Sequence, residues 1–239
     1  MENTDALTNT FSEEGRIHQV EYAIKSVTSA GPAIGVRFAN GVVLLGKNTD
    51  NVLTLTQDEK IYRINPRTIA VVGGLYADSN LLVHYARVKA QEYLHNYNQD
   101  MSPWLIGKTI CKIKQRFTQG GGMRPFGVSF MLAGYADNGQ YHLLSTDPSG
   151  TLNDWNVFAF GENDKIILSS LEEYPEQMSM EEALLLAFKA LSSTSEGVLK
   201  SPDAIAATVV YSEESVHKVK ELTKKEVAGY LEKVQVKRE

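Results

Sequence analysis

Apolar periodicity in this chain changes from strand-like to helix-like and back again, in an order that leaves few ways to fold. Residues 33–39 and 42–47 are two apolar runs joined at Asn40 and Gly41, a dipeptide that tight hairpins prefer. Residues 60–65 and 68–72 repeat the theme across Pro66 and Arg67, where proline stops one strand and fixes a turn. Helical spacing follows from Asp78 to about Tyr97. Leu81, Leu82, Tyr85, Val88, Ala90, Tyr93 and Leu94 make an apolar surface wider than one buried stripe needs, which predicts a helix packed on two sides. Ser102 and Pro103 open a second helix, faced by Leu105, Ile106, Thr109, Ile110, Ile113 and Phe117 and ended by the glycines from Gly120.

Strand patterns return at residues 126–135 and 141–146, flanking Asp137, Asn138 and Gly139, and again at 155–160, and these predict a second sheet. Helices are expected over 164–174 and 179–191, the latter opened by a capping box of Ser179 and Glu182. Residues 204–211 and 216–219 read as strands, and Thr223 with Glu226 caps a terminal helix through Leu231. Strands, a helix pair, strands and a second helix pair point to two stacked antiparallel sheets with helices on both outer faces.

Composition excludes several functions. At 239 residues, 43% hydrophobic and 22% charged, the chain is large enough for one sizeable core, and one domain is expected. A net charge of -5 supplies no basic field for DNA or RNA. Cys111, the sole cysteine, cannot form an internal disulfide and falls between Ile110 and Ile113, so a packed thiol in a reducing compartment is expected. The longest apolar run, residues 183–188, falls far short of the roughly 20 residues that cross a bilayer. With no apolar leader in the first twenty residues, the expected location is cytoplasm and nucleus. His18, His84, His95, His142 and His217 lack the paired spacing of a metal site, and no cofactor is expected. Gly120, Gly121 and Gly122 end a helix instead of opening one, the wrong context for a phosphate cradle. Asp147, Pro148 and Gly150 read as turn formers rather than as a catalytic acid in its loop.

The leading segment carries the most specific signal. Residues 11–23 read FSEEGRIHQVEYA: Gly15 suits a turn, and Ile17, Val20, Ala23 or Ile24, and Val27 then recur at helical spacing between Gln19, Glu21 and Lys25. Periodicity alone is equally consistent with an ordinary surface helix. The string itself closely resembles the N-terminal signature of proteasome alpha subunits, FSPxGRLxQVEYA. The resemblance continues in family order through ANGVVLLGKN (39–48), DEKIYRI (58–64), GGLYAD (73–78), GGGMRPFGVS (120–129) and TDPSGT (146–151). Within that group QVEYA, EKIYRI and RPFG lean toward the eukaryotic third alpha type.

The resemblance implies the four-layer αββα sandwich of N-terminal nucleophile hydrolases, an α+β fold, with an extra N-terminal helix. Residues 1–10, polar and without periodicity, would be a mobile gate arm, and 11–239 a single subunit domain. The implied function is that of a noncatalytic structural and gating subunit in ATP- and ubiquitin-dependent protein degradation. Its implied partners are the other alpha subunits of a seven-membered ring, beta subunits, and the C-terminal tails of regulatory-particle or other activators.

Catalytic relatives of this fold use a threonine freed at the start of the first strand, whose amine is the base for its own hydroxyl. Aligning Gly35 with the glycine of that strand places Gly31, Pro32 and Ala33 where the threonines would stand. The alternative reading is a self-processing threonine or serine peptidase using Thr28, Ser29 or a neighbour. Lys60 matches the lysine that in alpha subunits lines the pocket for an activator tail's carboxylate. Without the resemblance, an exposed ion pair with Asp58 or Glu59 is the simpler reading. The resemblance also assigns Asp5 and Tyr22 to an open-gate cluster, and Gly120, Gly121 and Gly122 to the pore constriction. Thr4 and Glu13 replace the tyrosine and proline of that cluster, removing an aromatic contact and a rigid turn. Gly120 stands where some relatives carry an aromatic residue, leaving the constriction wider or looser.

Overall fold

The computed structural model describes residues 9–48, 59–172, 174–175, 177–194, 202–214 and 216–236. Helix α1 (His18–Thr28) leads into strands β1 (Ala33–Phe38), β2 (Gly41–Lys47), β3 (Ile61–Asn65) and β4 (Thr68–Gly74). Helices α2 (Tyr76–Tyr97) and α3 (Pro103–Gln119) follow, then β5 (Val128–Tyr135), β6 (Tyr141–Thr146), β7 (Leu152–Asp154) and β8 (Val157–Phe160). The chain ends with α4 (Asp164–Leu171), α5 (Met180–Ser192), β9 (Ile205–Glu213), β10 (Val216–Glu221) and α6 (Lys224–Val236).

Two five-stranded antiparallel sheets result, ordered β10-β9-β2-β1-β8 and β3-β4-β5-β6-β7. The two leading hairpins therefore part company, one in each sheet, and the second sheet is built from β3 and β4 together with the later β5, β6 and β7. The short β7 pairs with β6, and the chain then crosses at Trp155 and Asn156 to place β8 beside β1. At the crossing Trp155 N–H donates to Leu143 O, and Arg37 N–H to Asn156 O.

The layers follow from the period of two along a strand. On β2, Val42 and Leu44 enter the layer between the sheets, with Ile69, Val71, Met131, Leu143 and Phe160. Val43 and Leu45 face the other way, onto Phe188, Leu191 and the rest of the α4, α5 and α6 layer. The second sheet's outer face packs Phe130, Leu132 and Leu144 against Leu82, Ile106 and Ile110 of α2 and α3. Burial on both faces is why the VVLL run is continuous instead of alternating. Gly35 is fixed by the same packing: a Cβ there would collide with Met131 and Leu143 of the facing sheet.

Helix starts match the sequence. Ser102 Oγ accepts from Leu105 N–H at the head of α3, and Ser179 with Glu182 forms the capping box of α5. Thr223 and Glu226 do the same for α6. Helix α4 is shorter than expected, ending at Leu171. The expected second packing face of α2 is not used among the described residues: Leu82, Val83, Ala86 and Ala90 are buried, whereas Leu81, Val88 and Tyr97 are exposed. Among the described residues no helix is long and apolar enough to cross a membrane.

Candidate functional site

Everything at the front edge of the sandwich follows from how the chain enters β1. Ser12 to Arg16 form a tight turn, with Gly15 N–H donating to Ser12 O (2.9 Å) and Ser12 N–H to Arg16 O (2.8 Å). Gly15 sits at φ 75°, a conformation that glycine adopts without penalty. Arg16 then clamps Glu21 through two hydrogen bonds of 2.6 and 2.8 Å, fixing the turn on the first turn of α1. Helix α1 buries Ala23 and Val27, and Val27 closes one end of the inter-sheet core. Ser26 Oγ lies 3.1 Å from Gly127 O, and a Cβ on Gly127 would strike Ser26 and Leu75. The predicted apolar face is thus used only in part, and Ile24 stays exposed.

The segment between α1 and β1 is held from several sides. Glu162 N–H donates to Ala30 O (2.8 Å), Lys47 N–H to Pro32 O (2.9 Å), and Lys60 Nζ to Gly31 O (3.0 Å). A Cβ on Gly31 would collide with Lys47 O, so a threonine does not fit that backbone. The hydroxyls of Thr28 and Ser29 both turn back onto Lys25 O, at 2.8 and 3.1 Å, as ordinary bonds of a helix end. Neither is placed as a nucleophile beside a base.

Lys60 is only 9% exposed. Its stem runs over Gly46, where a Cβ would meet Lys60 Cγ and Val71, and burial pulls its pKa down to about 8. Next to it, Glu59 N–H donates to the Tyr76 hydroxyl (3.0 Å), and the Tyr62 hydroxyl lies 2.8 Å from that of Tyr76. These contacts join the EKIYRI and GGLYAD blocks. Asp58 lies outside the described residues, and no ion pair of Lys60 with Glu59 is seen among the described ones.

Asp5 and Thr4 also lie outside the described residues. Tyr22 is 51% exposed on α1 and stacks on His18 with ring centroids 6.3 Å apart. Gly120 is the C-cap of α3, and Gly122 takes φ 80°, while side chains at Gly121 or Gly122 would meet nothing within 4 Å. The structure therefore keeps Tyr22 and the glycine loop on separate elements.

Sequence reasoning missed the pair that holds this loop. Arg124 bonds both carboxylate oxygens of Asp78, at 2.7 and 2.8 Å, and Asp78 also accepts from Gly127 N–H at 3.0 Å. Burial works to raise the Asp78 pKa, but Arg124 and the Gly127 N–H outweigh it and hold the group below its ordinary value. Both residues lay in quoted blocks, yet nothing local pairs positions 46 apart. The TDPSGT block is a turn, as expected: Asp147 Oδ1 accepts from Ser149 Oγ (2.7 Å) and Thr151 N–H (2.8 Å). Cys111 is buried, with its pKa raised to about 11 chiefly by desolvation, and among the described residues no three potential ligands gather for a metal.

Two stacked antiparallel sheets between helical layers, entered through a helix instead of a free hydroxyl residue, define a noncatalytic member of the N-terminal nucleophile hydrolase fold. Residues 27–210 match the family model of proteasome subunits, and residues 5–25 match the A-type N-terminal signature of those subunits. The chain belongs to the proteasome subunit family, as an alpha-type, noncatalytic member of the core's outer ring. It is 40% identical over 211 residues to the alpha type-4 proteasome subunit of Spinacia oleracea, covering 87% of this chain and 84% of that one. Identity is also 40% over 196 residues to alpha type-3 of Saccharomyces cerevisiae (80% and 76% covered). To alpha type-4-A of Arabidopsis thaliana it is 38% over 230 residues, with 92% of each covered.

Proposed function

We propose that this chain joins six other alpha chains in a seven-membered ring, docks on the beta ring, and helps to gate substrate entry in ATP- and ubiquitin-dependent protein degradation, in cytoplasm and nucleus. The observation that carries the reading is the closed front edge. The alpha signature forms a turn and a helix across the end of the inter-sheet core, which supports a structural role for this segment over a processed, nucleophilic one. Lys60 is proposed as the cation that receives the C-terminal carboxylate of an activator tail. Its ammonium uses one donor on Gly31 O and is held just before β3, where its stem passes over Gly46.

An arriving carboxylate favours the charged lysine, raising its pKa from about 8. Lys60→Ala in the assembled particle is expected to weaken the activator about tenfold, read as the activator concentration for half-maximal peptide hydrolysis. In the unaltered particle the response should fade as pH rises past about 8, because deprotonation removes the cation. An unchanged half-maximal concentration in the variant would rule out the tail pocket.

A further inference from the structure

We infer that Asn9 anchors the base of the leading segment to the glycine loop after α3. This rests on the gating reading only for its consequence at the pore. The Asn9 Nδ2 group donates to three carbonyls more than a hundred residues away in the chain: Phe117 O at 2.9 Å, Gly120 O at 2.6 Å and Met123 O at 2.8 Å.

The geometry explains why asparagine serves. A helix leaves its last four carbonyls without intrahelical donors, and Phe117 O belongs to the last turn of α3. Gly120 N–H turns back to Arg116 O, leaving Phe117 O for another donor, and the Asn9 amide fills it. The NH2 has two hydrogens, so one of them is shared between two of the three carbonyls, and a surround of acceptors alone sets the amide's orientation. The backbone at Asn9 takes φ 61°, a left-handed conformation that asparagine tolerates better than most residues. Asn9 Oδ1 is buried without a hydrogen-bond partner among the described residues. That orphaned acceptor marks the site as one where the amide's donors dominate.

The same three bonds tie two regions the gating reading uses. Residue 9 lies just before the turn at Ser12 to Arg16, and Gly120 and Met123 bracket Gly121 and Gly122, where a Cβ would meet nothing within 4 Å. Asn9 spans the loop from Phe117 to Met123, the Asp78–Arg124 pair holds its far end, and displacement of the loop is transmitted to residue 9 through one side chain.

Two variants in the assembled particle separate the side chain from the backbone. Asn9→Gly keeps the left-handed conformation and deletes the amide, and Asn9→Asp keeps the shape but sets a carboxylate against three carbonyls. Both should speed hydrogen exchange in residues 117–124 about tenfold and speed limited proteolysis within residues 9–16, Asn9→Asp more strongly. Basal hydrolysis of a short fluorogenic peptide should rise by about twofold or more. Unchanged exchange and proteolysis in both variants would overturn the anchor. Faster exchange with unchanged peptide hydrolysis would support the anchor and refute the gating role.

Discussion

Lys114 is a residue whose charge and position conflict. It lies fully buried on α3, its Nζ 2.8 Å from Val128 O and 2.7 Å from Thr146 Oγ1, over the face of Phe130 at 5.1 Å. Desolvation pulls its pKa down to about 7, with Cys111 and Asp147 pulling weakly the other way. Between about pH 7 and the ordinary value of 10.5 the unfolded chain therefore holds a proton that the folded chain has lost. Stability contributed by this site is complete above 10.5 and is lost progressively as pH falls from there to about 7. Replacing it by methionine strands the Val128 and Thr146 acceptors and should cost about 2 kcal/mol near neutrality. The gap between the original chain and Lys114→Met should widen from pH 7 to pH 9 in denaturant unfolding, and a gap independent of pH would contradict the depressed value. Spacing puts position 114 on the same face as Ile106 and Ile110, but a lysine's charge argues for solvent, and nothing local registers the acceptors that Val128 and Thr146 bring from two strands.

Helix α1 owes its place to a small residue, Gly127, just before β5. Gly127 lets Ser26 approach, while Leu75 N–H and Ser26 Oγ share the Gly127 carbonyl at 2.8 and 3.1 Å. Gly127→Ala should push α1 away and cost about 1 to 3 kcal/mol, visible as faster proteolysis within residues 17–28. Ser26→Ala in the same chain should recover part of the loss by removing the struck oxygen; no recovery would mean that the collision with Leu75 is what matters. Helix α2 shows the opposite case. Its second apolar face, with Leu81 and Val88, was visible in the sequence but stays exposed among the described residues, as a surface awaiting other subunits would.

At the scale of the molecule, two sheets pressed together by Gly35 and closed at one end by Val27 make a body with a fixed front edge. Assembly follows as a prediction: co-produced with the other alpha and beta chains, the protein should sediment in ring-sized particles and keep its residues before Gly31 by intact mass. A chain that remains alone would refute the ring, and one trimmed to start at a hydroxyl residue would refute the noncatalytic reading. The hairpins and the helix caps at Ser102, Ser179 and Thr223 were legible in the sequence, because each depends on residues within a few positions of one another, whereas the missing nucleophile at Gly31 to Ala33 was legible only through the resemblance. The division of strands between sheets was not, since β7 is three residues of mixed polarity and β8 changes sheets through a two-residue crossing.

Local chemistry thus determined the elements and their order, and the ordered blocks of residues determined the family. Tertiary structure alone decided which side chains meet: Asn9 with the end of α3, Asp78 with Arg124, Lys60 with Gly31, and Lys114 with Thr146. The physical reason is that hydrogen bonds and ion pairs act over about 3 Å in space and carry no mark in a sequence that separates their partners by 29 to 114 positions.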